Sequence, residues 1–79
     1  MEQNKIKINL KSIEKINKFG HVVRRFMSDV RVVNDSKDLD AKSILGMFDV
    51  NLYKDIYVYI ISDNTEEIRQ FDAAMEEFR

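Results

Sequence analysis

The period of the hydrophobic pattern changes once, sharply, near the start of the chain, and that change limits the fold more than any other feature. In residues 4 to 10, Ile6, Ile8 and Leu10 alternate with Lys5, Lys7 and Asn9, the period of two of a strand with one buried face. From Ser12 the spacing lengthens. Ile13, Ile16, Phe19, Val23 and Phe26 fall on one stripe, and Glu14, Lys15, Lys18, Arg24 and Arg25 lie mostly away from it. This is an amphipathic helix with Ser12 as its N-cap. The chain therefore opens with a strand and a helix shaped to cover it.

The rest of the chain continues in the same units. "DVRVVN" (29 to 34) favours a strand by its valines, "DS" (35 to 36) can turn, and "KDLDA" (37 to 41) can pair back as a short third strand. "SILGMF" (43 to 48) has room for one or two helical turns, with Ser43 as N-cap and Asn51 as the left-handed residue that ends it. In "DIYVYIIS" (55 to 62), Ile56, Val58 and Ile60 share one face and Tyr57, Tyr59 and Ile61 the other. A last helix opens with Asn64 and Glu67 in capping-box spacing and carries Ile68, Phe71, Ala74, Met75 and Phe78 as its apolar stripe. The order β-α-β-β-α-β-α, with right-handed crossovers, puts three helices on one face of a four-stranded antiparallel sheet. The expected class is α+β, an open-faced sandwich.

Composition narrows the function. Seventy-nine residues suffice for one domain, 1 to 79, with one modest core. The chain has no proline and only two glycines, so connections are short. Thirteen basic and fourteen acidic side chains nearly cancel, which argues against nucleic acid or anionic lipid as the main partner. With no cysteine and a single histidine, a transition-metal site is not expected, and no Gly-rich phosphate loop or hydrolytic triad is present. No cofactor is called for. The charged, alternating N-terminus is unlike a secretory signal and no segment has membrane-spanning length, so the expected location is the cytoplasm.

"DVRVVNDSKDLDAKSILGMFDVNLYKDIYVYI" resembles the second half of HPr, the histidine-containing phosphocarrier of the bacterial sugar phosphotransferase system. The family signature K-S-I-(M/L)-G stands here as Lys42, Ser43, Ile44, Leu45 and Gly46. The resemblance runs without gaps back through "FMSDV" to the first helix and forward into the last. It implies the HPr-like open-faced β-sandwich, the same order of elements as the periods give.

The resemblance also exposes a departure. The family's acceptor segment, Gly-(Ile/Leu)-His-Ala-Arg-Pro-Ala, places its histidine at Ser12, its arginine at Glu14 and its proline at Lys15 of this chain. An imidazole accepts and passes on a phosphoryl group, whereas a serine phosphate is a stable ester, and Glu14 repels the anion that an arginine would hold. Ser12 and Glu14 thus mark a degenerate phosphocarrier position, and the chain is expected to be no enzyme. His21 lies about two and a half turns further along the helix, on the opposite face, and reads as a surface histidine.

In the family, the serine matching Ser43 is regulatory: a dedicated ATP-dependent kinase phosphorylates it in many Gram-positive bacteria, and a catabolite-control transcription factor reads it. A subfamily, catabolite-repression HPr, lacks the catalytic histidine and keeps this serine, and the present chain resembles that pattern. The resemblance implies a regulatory or adaptor protein with Ser43 as the phosphorylation site and a kinase and a transcriptional regulator as partners. Lys42, Ile44, Leu45 and Phe48 form the candidate contact patch; Leu45 and Phe48 suit contact best, while Ile44 and Met47 suit the core. Tyr57 and Tyr59 are expected to be exposed on the open sheet face. They suit a partner or a second copy of the chain, the alternative reading being an interaction module that is never phosphorylated.

Overall fold

The computed structural model describes residues 4–79; the first three residues of the N-terminal segment read above lie outside them. Its elements are β1 (Ile6–Ile8), α1 (Ile13–Val23), β2 (Asp29–Asn34), β3 (Lys37–Asp40), α2 (Ile44–Met47), β4 (Ile56–Ile61) and α3 (Thr65–Met75), followed by a 3-10 turn, Glu76–Phe78. The antiparallel sheet has the order β1-β4-β2-β3. Ile6 stands opposite Val58, Val58 opposite Val32, and Val32 opposite Leu39. Since side chains alternate along each strand, this register gathers Ile6, Ile8, Val30, Val32, Ile56, Val58 and Ile60 on one face, all buried.

The helices cover that face. Phe19, Val22 and Val23 descend from α1 and Phe71 and Met75 from α3, with Phe78 from the terminal turn. Phe19 meets Phe78 edge to face with centroids 5.5 Å apart, and Phe26 meets Phe71 at the same separation. Each pair adds about 0.5–1.5 kcal/mol beyond its buried area. The α1 stripe differs from expectation at both ends. The helix stops at Val23, so Phe26 reaches the core from the following turn; Ile13, on the first helical residue, lies beyond the core and is 78% exposed.

Two further boundaries have local causes. β1 is shorter than the residues 4 to 10 of its alternating pattern because the Asn9 N–H donates to the Phe78 carbonyl, which draws the chain out of the sheet and lets Leu10 drop into the core. The two-residue β2–β3 turn is made by Asp35 in the left-handed region (φ 57°), the one non-glycine residue with positive φ among those described. Asn51 therefore does not end α2 as expected. The turn after α2 runs on through right-handed Phe48 (φ −66°), with the Phe48, Asp49 and Val50 N–H groups donating to the carbonyls of Leu45, Gly46 and Met47.

The mouth of α3 is also built differently from a capping box. Asn64 Oδ1 accepts from the Glu67 N–H at 3.0 Å, but the Glu67 carboxylate does not reach back to Asn64. It accepts instead from the Ser28 N–H and from the hydroxyls of Ser28 and Ser62, and Ser62 Oγ accepts from the Asn64 N–H. These donors, the Ser28 hydroxyl foremost, hold the Glu67 carboxyl at about 2, below its ordinary 4.5. The carboxylate pins the start of α3 to the turn between α1 and β2.

Candidate functional site

The mouth of α1 is a cap. Ser12 has extended backbone (φ −131°, ψ 156°), and its Oγ accepts from the Lys15 N–H at 3.1 Å. Glu14 stands in the first turn, exposed, with no ion-pair partner among the described residues. The cations that follow turn elsewhere: Lys18 Nζ pairs with Glu77 Oε2 at 2.7 Å, and Lys15 Nζ donates to the Glu77 carbonyl. His21 is exposed in the last turn of α1. Nine residues of helix rise separate it from Ser12 by about 13 Å. Among the described residues, the hydrogen-bond partner of the Ser12 hydroxyl is the Lys15 N–H, not an imidazole or a guanidinium.

The mouth of α2 repeats the cap in a different setting. Ser43 is extended (φ −91°, ψ 119°), and its Oγ accepts from the Gly46 N–H at 3.0 Å. A Cβ on Gly46 would lie 3.3 Å from Ser43 Cβ and 3.4 Å from the Asp40 carbonyl, so the glycine lets the serine close tightly on the turn. Asp40 Oδ1 accepts from the Lys42 N–H, and the Asp40 carbonyl accepts from the Ser43 N–H. Lys42 Nζ donates to the Phe26 carbonyl, which ties the start of α2 to the end of α1.

Asn34 fixes the far end of this segment, a role the residue patterns left unread. It is 1% exposed. Its Nδ2 donates to the carbonyls of Asn51 (3.0 Å) and Asp55 (3.1 Å), and its Oδ1 accepts from the Asn51 N–H at 2.7 Å. A buried amide satisfied in this way is worth keeping, because an apolar replacement strands three backbone groups. The signal was present in sequence as a polar residue in phase with Val30 and Val32 on the buried face of β2.

Between the two helices lies an apolar groove of about 530 Å³, walled by Ile13, Ile16, Gly20, Ile44, Met47, Phe48 and Leu52 among others. Arg24 is the one fully charged side chain on its lining, with Asn17 and His21 beside it. The Arg24 guanidinium folds back over Gly20, where a Cβ would come within 3.0 Å of Nη1. Leu45 and Phe48 are exposed, 79% and 77%. So is Ile44, at 64%, against the expectation that it belongs to the core: α2 has a single turn, which offers only Met47 inward. Ile44 and Phe48 line the groove with Ile13 across it, and Ser43 and Leu45 are the chain neighbours of Ile44 at the start of α2.

Tyr57 and Tyr59 lie on the other side of the molecule and are half-buried rather than exposed. Tyr59 Oη donates to Asp38 Oδ2 at 2.9 Å, Arg31 Nε donates to Asp38 Oδ1 at 2.9 Å, and Lys5 Nζ lies 5.8 Å from the Tyr59 ring centroid. The Arg31 hydrogen bond holds the Asp38 carboxyl below the usual carboxylate range; burial first, then the bond to Asp38, raises the Tyr59 hydroxyl. The tyrosines are therefore far from Ser12 and Ser43. Among the described residues there is no cluster of metal-ligating side chains, and no helix is long and apolar enough to cross a membrane.

Element order, sheet order and helix placement define an open-faced α+β sandwich in which two serine-capped helix mouths border one apolar face. In structure the chain is similar to HPr-C-His from Thermoanaerobacter tengcongensis (TM-score 0.70, 24% identity, 98% of this chain and 93% of that chain). It is also similar to Crh, the Bacillus subtilis catabolite repression HPr (TM-score 0.57, 24% identity, 99% of this chain and 100% of that chain). The chain has the HPr-like fold. No protein-family model matches it. No curated protein matches it in sequence.

Proposed function

We propose that this chain is an HPr-related protein of the bacterial phosphotransferase system that does not relay phosphate and serves in the cytoplasm as a regulatory or adaptor protein, docking partners through the α1–α2 face with Ser43 as its switch. One observation carries the reading: Ile13, Ile44, Leu45 and Phe48 are each more than half exposed on adjacent helices that flank the Ser43 hydroxyl. Apolar side chains gathered on one face mark an interaction site far more often than the same residues scattered. The loss of relay follows from the α1 mouth, where a capping hydroxyl and the Glu14 carboxylate replace a nucleophilic imidazole and an anion-binding guanidinium.

Modification of Ser43 is chemically compatible with its cap. A kinase would transfer the γ-phosphoryl group of ATP to Oγ, releasing ADP and the hydroxyl proton, and the new oxygens would lie beside the Gly46 N–H, since the Met47 N–H already donates to the Ser43 carbonyl. The phosphate would sit beside exposed Ile44 and Leu45, so its charge would change what can dock there. Partners of this kind are a serine kinase and a transcriptional regulator that reads the modified surface.

The test is incubation of the purified chain with an HPr-type serine kinase and ATP, followed by localisation of any added mass. One phosphate on Ser43, abolished by Ser43→Ala, supports the reading. An unmodified chain, under conditions that label an authentic HPr, contradicts the switch.

A further inference from the structure

The uncovered face of the sheet, on the other side of the molecule from the helices, carries an ordered arrangement of charge. Reading across the strands in the order β1, β4, β2, β3, one row is Lys7, Tyr57, Val33 and Asp38. The neighbouring row is Lys5, Tyr59, Arg31 and Asp40, with Lys5 held over the Tyr59 ring. Alternation along the strands puts all eight opposite the buried valines and isoleucines. The β1 edge carries Lys5 and Lys7, the latter also 3.5 Å from Asp55 of its own chain; the β3 edge carries Asp38 and Asp40; the middle holds Tyr57, Tyr59, Val33 and Arg31.

We infer that this face is the contact surface of a two-fold symmetric dimer of the chain, with the symmetry axis parallel to the strands. Such an axis lays each row on its own reverse. Lys7 then meets Asp38 of the second copy, and Tyr57 meets Val33; Lys5 meets Asp40, and the Tyr59 ring meets the Arg31 guanidinium, an arrangement both groups favour. An axis perpendicular to the strands would set lysine edge on lysine edge and is excluded by repulsion. Aligned packing of two sheets about 10 Å apart is a standard sandwich geometry. The outer row, Ile61 and Asp29, adds no complementarity, so the contact centres on the two rows described.

The same geometry sets its strength. Four strands spaced about 4.8 Å apart and about five residues long give a footprint on the order of 300–400 Å² per copy, well under the roughly 800 Å² per partner of a standard stable complex. Asp38 already accepts from Arg31 and Tyr59 within its own chain, so the intermolecular lysine adds to a satisfied carboxylate rather than rescuing a bare one. The dimer is transient, salt-sensitive and populated at high concentration.

The experiment is a dilution series of amide spectra from millimolar to low micromolar chain, with two charge variants. The native protein is expected to show concentration-dependent shifts at Lys7, Val33, Tyr57 and Tyr59. Lys5→Glu and Asp40→Lys alone should each weaken association roughly tenfold or more, and their equimolar mixture should restore it, since the swapped charges then face each other. Because Asp40 also holds the Lys42 N–H, a mixed-labelled native sample gives an independent readout: intermolecular contacts between the Tyr57 ring and the Val33 methyls. Concentration-independent spectra, shifts confined to the α1–α2 face, or variants that self-associate like the native chain would each overturn the dimer.

Discussion

Two serines open two helices in this molecule with nearly the same geometry, and they differ in everything around them. Ser12 Oγ accepts from Lys15 N–H at 3.1 Å and Ser43 Oγ from Gly46 N–H at 3.0 Å. Ser12 heads an eleven-residue helix with Glu14 in its first turn; Ser43 heads four residues with no acid there and three exposed apolar neighbours, Ile44, Leu45 and Phe48. A cap hydrogen bond therefore says nothing about chemistry on its own. The surroundings differ: a carboxylate, Glu14, stands in the first turn behind Ser12, and none stands in the first turn behind Ser43, whose neighbours are exposed and apolar.

The largest effect that separates the two mouths comes from neither serine. Asn34→Ala strands the Asn51 N–H and the carbonyls of Asn51 and Asp55, at a cost of about 3 kcal/mol. Denaturant unfolding measures the loss. Amide exchange should quicken first between α2 and β4 and leave the start of α1 protected, whereas uniform acceleration would show that the two mouths are not held separately.

Removing the caps themselves sharpens the contrast at smaller scale. Ser12→Ala should cost about 1 kcal/mol of global stability, because α1 carries Phe19, Val22 and Val23 into the core. Ser43→Ala should cost less, since α2 buries no residue fully; its mark should be faster exchange at Gly46. Equal losses in denaturant midpoint would contradict the distinction.

A third mouth gives an effect that is marked by its pH dependence: it is present in full at neutral pH and vanishes in acid. Glu67 has its pKa lowered to about 2, so its contribution is complete above the ordinary value of 4.5 and is lost as pH falls through the folded value. Glu67→Gln should therefore flatten the acid limb of the stability curve between those two values. An unchanged limb would place the acid sensitivity elsewhere.

Much of this was legible in the residues because each helix announces itself with a side-chain cap and each strand with a period of two. Ser12, Ser43 and Asn64 were readable as caps for that reason, and β2 and β4 by their alternation. Tertiary partners were not. Nothing local to Asn9 says that its N–H will meet Phe78 and shorten β1, and nothing in the spacing of Asn64 and Glu67 says that the carboxylate will prefer Ser28 and Ser62. Ile44 was misplaced because a stripe argument needs more than one helical turn, and Tyr59 because its hydroxyl partner, Asp38, comes from a strand two positions away in the sheet.

The central claim, that this chain does not take up a phosphoryl group for relay, is tested most directly by incubating it with phosphoenolpyruvate and the first enzyme of the phosphotransferase system. The account predicts no acid-labile phosphate on the protein while an authentic HPr in the same mixture is fully labelled. Acid-labile phosphate on His21 would contradict it.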